Sequence, residues 1–173
     1  KDVSTLRTNI RNAIIEYNQD NLLNFTGVFR HSKLTEAING AVPSMLSNIT
    51  TVKLFKTITP TLNSAQKYEV SFNNAFFNPH SGHNAAGGGV IDSTGFKINN
   101  DSSTNEHFLD DDGEGNLRVY YLSGTTRIYT DSTFGTVDYT NGKVTLTSAN
   151  ITSISNVDGA TGTIIRIFAT PNS

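Results

Sequence analysis

The alternation of apolar and polar residues changes period near residue 49, which separates a helical beginning from a strand-rich remainder. The first segment repeats apolar residues at the spacing of one helical face, at Leu6, Ile10, Ile14 and Tyr17. Either Asp2 or Ser4 is placed to cap the start of this helix. The pattern stops after Tyr17, so we expect one amphipathic helix here.

A second and shorter helix is indicated a few residues further on. Ser32 is the predicted N-cap, and Gly40 followed by Pro43 is the predicted stop. The residues predicted to face inward are Leu34, Ala37 and Ile38. The chain therefore begins with two helices, each with one apolar face.

From residue 49 the period is two, which is typical of strands that have one buried and one exposed face. Two strands are predicted, one around Val52, Leu54 and Ile58 and one around Tyr68, Val70 and Phe72. We expect residues 1–77 to form one unit of two helices and a small antiparallel sheet. The run NPHSGHNAAGGG at 78–89 predicts a loop or linker before a mainly β domain at 90–173.

Two hairpins are predicted in the second region. Gly124 and Thr125 suit a two-residue turn that pairs Tyr120 with Tyr129, and the same register places Arg118 opposite Asp131. Asn141 and Gly142 also suit a two-residue turn. That turn would pair Tyr139 with Val144 and Val137 with Leu146.

The last apolar run, IIRIFA at 164–169, predicts a strand that lies centrally in its sheet. Two helices followed by antiparallel strands make the predicted fold class α+β. The helical unit comes first and the mainly antiparallel β region follows it.

Charge and composition exclude several classes of function. The net charge of −2 offers no basic footprint for nucleic acid, and no apolar run is long enough to span a membrane. Cysteine is absent, which removes disulfides and thiolate metal sites. The chain starts at Lys1 and its single methionine is Met45, so we expect a fragment of a longer polypeptide.

The acidic stretch DDDGEGN raises the question of a calcium site. Aligning Gly113 with the glycine of a calcium-binding loop puts Phe108 at the first ligand position and Arg118 near the closing one. Both positions need oxygen ligands. We therefore interpret Asp110, Asp112 and Glu114 as residues of a turn, without a cation.

The histidines offer the other candidate chemistry. His80 and His83 have the spacing H-x-x-H, and His107 is the only distant histidine considered as a third ligand. Ser81 lacks the sequence context of an activated nucleophile. We interpret His80 and His83 as ordinary loop residues, and the sequence predicts no catalytic, cofactor-binding or metal-binding residues.

Two stretches resemble a known family. The stretch TLRTNIRNAIIEY together with FRHSKLTEAINGAVPSMLSNITTVKL is similar to the C-terminal part of baseplate J-like proteins. The later run, FLDDDGEGNLRVYYLSG with FGTVDYTNGKVTL, resembles the C-terminal region of the baseplate wedge subunit of T-even-like contractile-tailed bacteriophages. The two stretches together span most of residues 4–148.

The resemblance implies a structural protein of the virion, made in the bacterial cytoplasm and assembled into the wedges and inner ring of a tail baseplate. It implies a homodimer that also contacts other baseplate wedge proteins, without cofactors or catalysis. The residues expected at the interface are Leu6, Ile10, Ile14, Tyr120 and Tyr129. The alternative is a carbohydrate- or receptor-binding β module of a phage tail or fibre.

Overall fold

The computed structural model describes two compact units of the chain. The first unit spans residues 1–52 and the second spans residues 53–172. The described residues are 2–23, 27–43, 47–86, 89–101, 105–157 and 162–172. Met45, Gly87 and Gly88 lie outside them.

The first unit contains the two predicted helices, α1 (Val3–Asn21) and α2 (His31–Ala41). Leu34 and Ile38 are buried on α2, which confirms the predicted inner face of that helix. On α1 the buried residues are Ala13 and Tyr17. No helix in the described part of the chain is long and apolar enough to cross a membrane.

The helix starts differ from the predicted capping. Asp2 is the N-cap of α1, but its carboxylate makes no capping bond to the backbone. The prediction that Ser32 caps α2 is wrong, because Arg30 holds that position and its carbonyl accepts the first helical hydrogen bonds, from Lys33 and Leu34. An Arg side chain has no acceptor atom, so it cannot cap the helix itself.

Tyr17 connects the two helices through the segment before α2. Its ring meets the Phe29 ring edge-on at 6.3 Å between centroids. Its hydroxyl accepts from the Arg30 amide at 3.0 Å and lies 3.1 Å from the Arg30 carbonyl oxygen, to which it donates. Both polar sides of the hydroxyl are thereby satisfied within a buried contact.

The described residues of the second unit form nine antiparallel strands around one hydrophobic core. The helices and strands together confirm the α+β class. The strands are β1 (Leu54–Ile58), β2 (Ala65–Ser71), β3 (Ile91–Ser93), β4 (Phe96–Ile98), β5 (His107–Asp111), β6 (Asn116–Ser123), β7 (Thr126–Asp138), β8 (Lys143–Ile154) and β9 (Ile165–Ala169).

Five of these strands close into a small barrel. The order of neighbours is β4, β5, β6, β7 and β8, and β8 returns to β4. An odd ring of antiparallel neighbours cannot close with straight strands, so one strand must curve between its partners. The strand β8 does this, since residues 143–146 pair with β7 and residues 151–154 pair with β4.

A separate three-stranded sheet has β9 between β1 and β3. Ile165, Ile167 and Ala169 are completely buried on β9, which confirms that this apolar run lies centrally. Both β1 and β2 belong to the second unit, because β1 pairs with β9 and β2 pairs with β8. The division at residues 52 and 53 therefore differs from the predicted boundary at 78–89.

The first predicted hairpin is confirmed near its turn. Gly124 has a φ of 63°, and Tyr120 pairs with Tyr129. The prediction that Arg118 faces Asp131 is wrong, because irregularities on both sides of Val119 shift the register and place Val119 opposite Asp131. On the other side of β6 the pairing with β5 is regular and places Arg118 opposite Asp110.

The second hairpin has a longer connection than predicted. Val137 pairs with Val144, so the loop spans residues 139–142. The predicted pairings of Tyr139 with Val144 and of Val137 with Leu146 are therefore wrong. A type I′ turn needs positive φ at both central residues. Among the described non-glycine residues only Asn63 and Asn73 have a positive φ. Asn141 instead donates to the Asp138 carboxylate through its amide and its side chain.

Alanine substitution at Gly142 tests how closely the second hairpin approaches the backbone of Asn74. Gly142 and Gly124 have nearly the same φ, 62° and 63°. A Cβ on Gly142 would lie 1.7 Å from the Asn74 carbonyl oxygen, whereas a Cβ on Gly124 would meet nothing within 4 Å. We expect Gly124→Ala to lower the free energy of unfolding by about 1–2 kcal/mol. We expect Gly142→Ala to lower it by about 1–3 kcal/mol more. Equal losses in urea unfolding would contradict the close approach.

Candidate functional site

The acidic stretch belongs to a strand and not to a turn alone. Asp110 and Asp111 are the last residues of β5, and both are almost completely buried. The interpretation of Asp110 as a turn residue is therefore wrong, and the turn begins only at Asp112. Two adjacent buried carboxylates need several donors each, because an unpaired buried charge is strongly unfavourable.

Asp110 is held by two arginines and one tyrosine. Its Oδ1 accepts from Arg118 Nε at 2.9 Å. Its Oδ2 accepts from Arg127 Nη1 at 2.6 Å and from the Tyr129 hydroxyl at 2.8 Å. Partial burial, together with the hydrogen bond to Asp110, raises the pKa of Tyr129, so its hydroxyl stays protonated as a donor. One carboxylate on β5 thereby fixes side chains on β6 and β7.

Arg118 extends this network into the loop before β3. Its guanidinium donates to the Asp111 carbonyl oxygen at 2.7 Å and to the carbonyl oxygens of Asn84 and Ala85 at 3.4 and 3.2 Å. The guanidinium carbon also lies 4.4 Å from the centre of the Tyr129 ring. A planar guanidinium offers five donors in a fixed arrangement, which is why it can bind several acceptors at once.

Asp111 points to a different set of partners. Its Oδ2 accepts from Asn84 Nδ2 at 2.9 Å and from the Tyr139 hydroxyl at 2.6 Å, and its Oδ1 accepts from the Ile91 amide at 2.8 Å. Burial and the bond to Asp111 raise the pKa of Tyr139 well above its usual range. The backbone at Gly89 passes so close that a Cβ there would lie 2.0 Å from Asp111 Oδ1.

Asp112 organises the turn between β5 and β6. Its Oδ1 accepts from the amides of Glu114 and Asn116 at 2.8 and 3.0 Å, and its Oδ2 accepts from the Asn116 side chain at 2.5 Å. Partial burial alone would raise the pKa of Asp112, but these hydrogen bonds outweigh it and lower the pKa. Both carboxylate oxygens of Asp112 accept from donors within the turn.

The loop at 78–86 is attached to this turn. The Gly113 carbonyl oxygen accepts from the Gly82 amide and from Asn78 Nδ2, both at 3.2 Å. Gly113 has a φ of 78°, and a Cβ there would lie 2.8 Å from the amide nitrogens of His83 and Asn84. The sequence predicts a loop or linker at 78–89. The described part of this segment is a loop that packs against the turn.

The histidines occupy two different places in the second unit. His80 and His83 are exposed, and His80 Nε2 lies 3.1 Å from His83 Nδ1. His107 is buried on β5, where Nε2 lies 2.9 Å from an Asp101 carboxylate oxygen and the ring meets Tyr121 edge-on. The described residues include no group of three His, Asp, Glu or Cys side chains that could hold a metal ion.

The five predicted interface residues differ in their exposure. Leu6, Ile10 and Tyr129 are half-buried, and Ile14 is 43% exposed. Tyr120 is buried between Phe108 and Tyr129, with Arg127 over its ring at 4.5 Å. The larger exposed apolar side chains near these positions are Val3, Ile15, Leu122 and Ile128.

Taken together, the polar residues of the second unit hold strands and a loop in place. Each carboxylate oxygen of Asp110 and Asp111 has a protein donor. Asp111 and Arg118 are the residues whose role sequence reasoning missed. The available signal was position, because Asp110 and Asp111 directly follow the apolar Leu109, and Arg118 lies on the first strand of the predicted hairpin.

A comparison with known protein families gives a match that covers the first unit. Residues 2–57, which include α1, α2 and the first four residues of β1, match the family described as baseplate structural protein gp6, C-terminal domain III. That family is structural and non-enzymatic, and it implies a phage baseplate role in the virion tail with contacts to other baseplate proteins. No curated protein matches the chain.

Removing the charge of Asp110 tests the buried network. Asp110→Asn leaves Arg118 and Arg127 partly buried without their carboxylate, so we expect the free energy of unfolding to fall by about 3–5 kcal/mol. The matched control is Asp138→Asn, whose carboxylate is exposed and should matter far less. Similar losses in denaturant unfolding of the two variants would contradict the central role of Asp110.

The lowered pKa of Asp112 predicts a pH-dependent contribution to stability. The carboxylate stabilises the fold above its unfolded pKa of about 3.9, and the contribution is lost as the pH falls through the lower folded pKa. Asp112→Asn should therefore cost about 1–2 kcal/mol at pH 7, because one acceptor becomes a donor facing Asn116 Nδ2. The difference in free energy of unfolding between Asp112→Asn and the wild type should disappear in strong acid. A difference in thermal unfolding that does not depend on pH would contradict this.

Proposed function

We propose that this chain, whose residues 2–57 match the family described as baseplate structural protein gp6, C-terminal domain III, makes subunit–subunit contacts in the wedge and inner ring of a phage tail baseplate. The partners in the proposal are a second copy of the chain and other baseplate wedge proteins. The protein would be made in the bacterial cytoplasm before it enters the virion tail. The observation that carries the proposal is the exposed apolar side of α1.

The apolar stripe of α1 is wider than α2 covers. Ala13 and Tyr17 are buried, but Val3 is 61% exposed and Ile14 is 43% exposed. With 100° between successive residues, Val3, Ile10 and Ile14 fall within about 40° of one another on the helix surface. The exposed strip therefore adjoins the buried one, as expected for a helix that packs on a second partner.

The strip has a charged border that would help to orient a partner. Arg7 and Arg11 follow the apolar strip on one side of the helix, at about 20° and 60° beyond Ile14. Charged residues at the rim of an interface affect the choice and orientation of the partner more than the affinity. A specific contact would bury roughly 1,200–2,000 Å² in total, so α1 would be only its centre.

The tip of the β6–β7 hairpin is the second surface in the proposal. Leu122 is 50% exposed and Ile128 is 39% exposed, next to the half-buried Tyr121 and Tyr129. Tyr120, which the sequence predicts for this contact, is buried within the chain, where its ring packs beside Phe108 and Tyr129. Tyr121 pairs with Ile128 and Leu122 pairs with Arg127, so Leu122 and Ile128 point to opposite faces of the hairpin. In the proposal the partner therefore contacts the tip on both faces, through Leu122 on one and Ile128 on the other.

The carbohydrate-binding alternative expects a shelf of exposed aromatic rings with convergent polar groups. The exposed phenylalanines among the described residues, Phe55 and Phe77, lie on different segments of the second unit. Phe55 packs against Phe168, and Phe77 packs against His83. These two rings give the alternative no support.

A charge placed in the apolar strip tests the proposal. In Ile14→Glu the side chain would have to be desolvated at the contact, so we expect the Kd of self-association to rise at least about tenfold, or about 1.4 kcal/mol. Sedimentation equilibrium on the whole chain measures this Kd. The exposed fraction of Ile14 keeps the substitution compatible with the fold.

The matched control is Gln19→Glu, which adds the same charge at an exposed position far around the helix. Its Kd should stay at the wild-type value. A wild-type chain that is monomeric at millimolar concentration would exclude the homodimer. Binding of other wedge proteins, measured separately with the same two variants, would then decide whether α1 contacts them instead.

A further inference from the structure

The exposed pair His80 and His83 has the nitrogen-to-nitrogen separation of a chelate. The nitrogen atoms His80 Nε2 and His83 Nδ1 lie 3.1 Å apart, and the two rings are nearly perpendicular at 84°. Two imidazole nitrogens that each lie 2.0–2.1 Å from one metal ion are roughly 2.9–3.4 Å apart for angles between 90° and 109°. The observed separation falls within this range before any ion is bound.

The tautomer of His80 is set by the backbone. His80 Nδ1 lies 3.1 Å from the Ser81 carbonyl oxygen, which can only accept, so Nδ1 carries the proton and donates it. Nε2 is then left with its lone pair, and this lone pair faces His83. A ligating histidine in proteins almost always donates its other ring N–H to a carbonyl or carboxylate in this manner.

His83 is the residue of the pair that has to change its tautomer to bind an ion. Its Nδ1 donates a proton to His80 Nε2 when no ion is present. To bind a metal, the neutral ring shifts this proton to its own Nε2, which frees the lone pair on Nδ1 without changing the charge. The two exposed rings also turn, so that both lone pairs point to one ion beside the line that joins the nitrogens. The Phe77 ring meets the His83 ring edge-on at 5.6 Å between centroids and so supports its orientation.

The loop that carries the pair is held in place from both sides. The His83 amide donates to the His80 carbonyl oxygen at 3.2 Å, which closes a turn between the two ligands. The Gly82 amide, within the turn, donates to Gly113, and Asn84 beside it donates to the buried Asp111 carboxylate. A preorganised loop loses little freedom when it binds an ion.

We propose that His80 and His83 form a two-histidine binding site for a divalent transition-metal ion such as Zn²⁺, Ni²⁺ or Cu²⁺. Imidazole nitrogen suits these ions, whereas Mg²⁺ and Ca²⁺ prefer oxygen ligands. Two protein ligands leave the other coordination positions to water or to a group from another molecule. The site is therefore an open surface site and differs in kind from a closed structural zinc centre.

Isothermal titration of the whole chain, purified without a histidine tag, tests the proposal with Zn²⁺ and Ni²⁺. We expect saturable binding of one ion per chain. His80→Ala and His83→Ala should each weaken this binding at least about tenfold, because one ligand remains where two chelated the ion. Mg²⁺ at the same concentrations should give no saturable binding at these residues.

The control in the same loop is Ser81→Ala, which removes the hydroxyl but keeps the carbonyl that His80 uses. Its affinity for Zn²⁺ should match the wild type. Both histidines are exposed, so circular dichroism should show an intact fold in every variant. No saturable Zn²⁺ binding, or binding that persists unchanged in the double variant His80→Ala/His83→Ala, would overturn the proposal.

Discussion

The structure of the second unit depends on two adjacent buried carboxylates at the end of β5. Side chains alternate along a strand, so Asp110 and Asp111 point in opposite directions and collect different donors. Asp110 accepts from side chains on β6 and β7, and Asp111 accepts from the start of β3 and from Tyr139, the residue directly after β7. A buried ion pair is weak evidence for high stability, but it fixes one arrangement because any other would leave a charge without a partner.

The same carboxylates explain why the loop at 78–86 has a defined shape in a region rich in Gly and Asn. Its amides and carbonyls have partners in Asp111, Arg118 and Gly113, so loop and barrel form one hydrogen-bonded structure. Glycine at 89 and 113 is required by close approach and not by flexibility. The exposed histidine pair therefore stands on a supported part of the surface.

Sequence periodicity was sufficient for the element types and for part of the pairing. The two helices, the turn at Gly124 and the central position of β9 follow from local patterns that tertiary contacts reinforce. The register at Arg118 did not follow, because irregular pairing on both sides of Val119 leaves no mark in the sequence. The burial of Asp110 was equally hidden, since its donors come from residues eight to nineteen positions away. The sequence also placed Tyr120 at an interface, whereas it is buried within the chain. An aromatic residue on a hairpin suits an interface and an interior equally well, so the pattern alone does not separate the two.

The pairing of β1 and β2 with distant strands has a consequence for the order in which the chain can fold. Contacts between α1 and α2 join residues close in sequence, whereas β1 pairs Leu54 with Ala169 and β2 pairs Ala65 with Asn150. Loop-closure entropy makes such distant pairings slow to form. During synthesis the helical pair can form early, but β1 has no partner until the ribosome has added β9. The second unit therefore folds late. Until then the apolar strands of its core are exposed, and exposed apolar strands favour aggregation of the nascent chain.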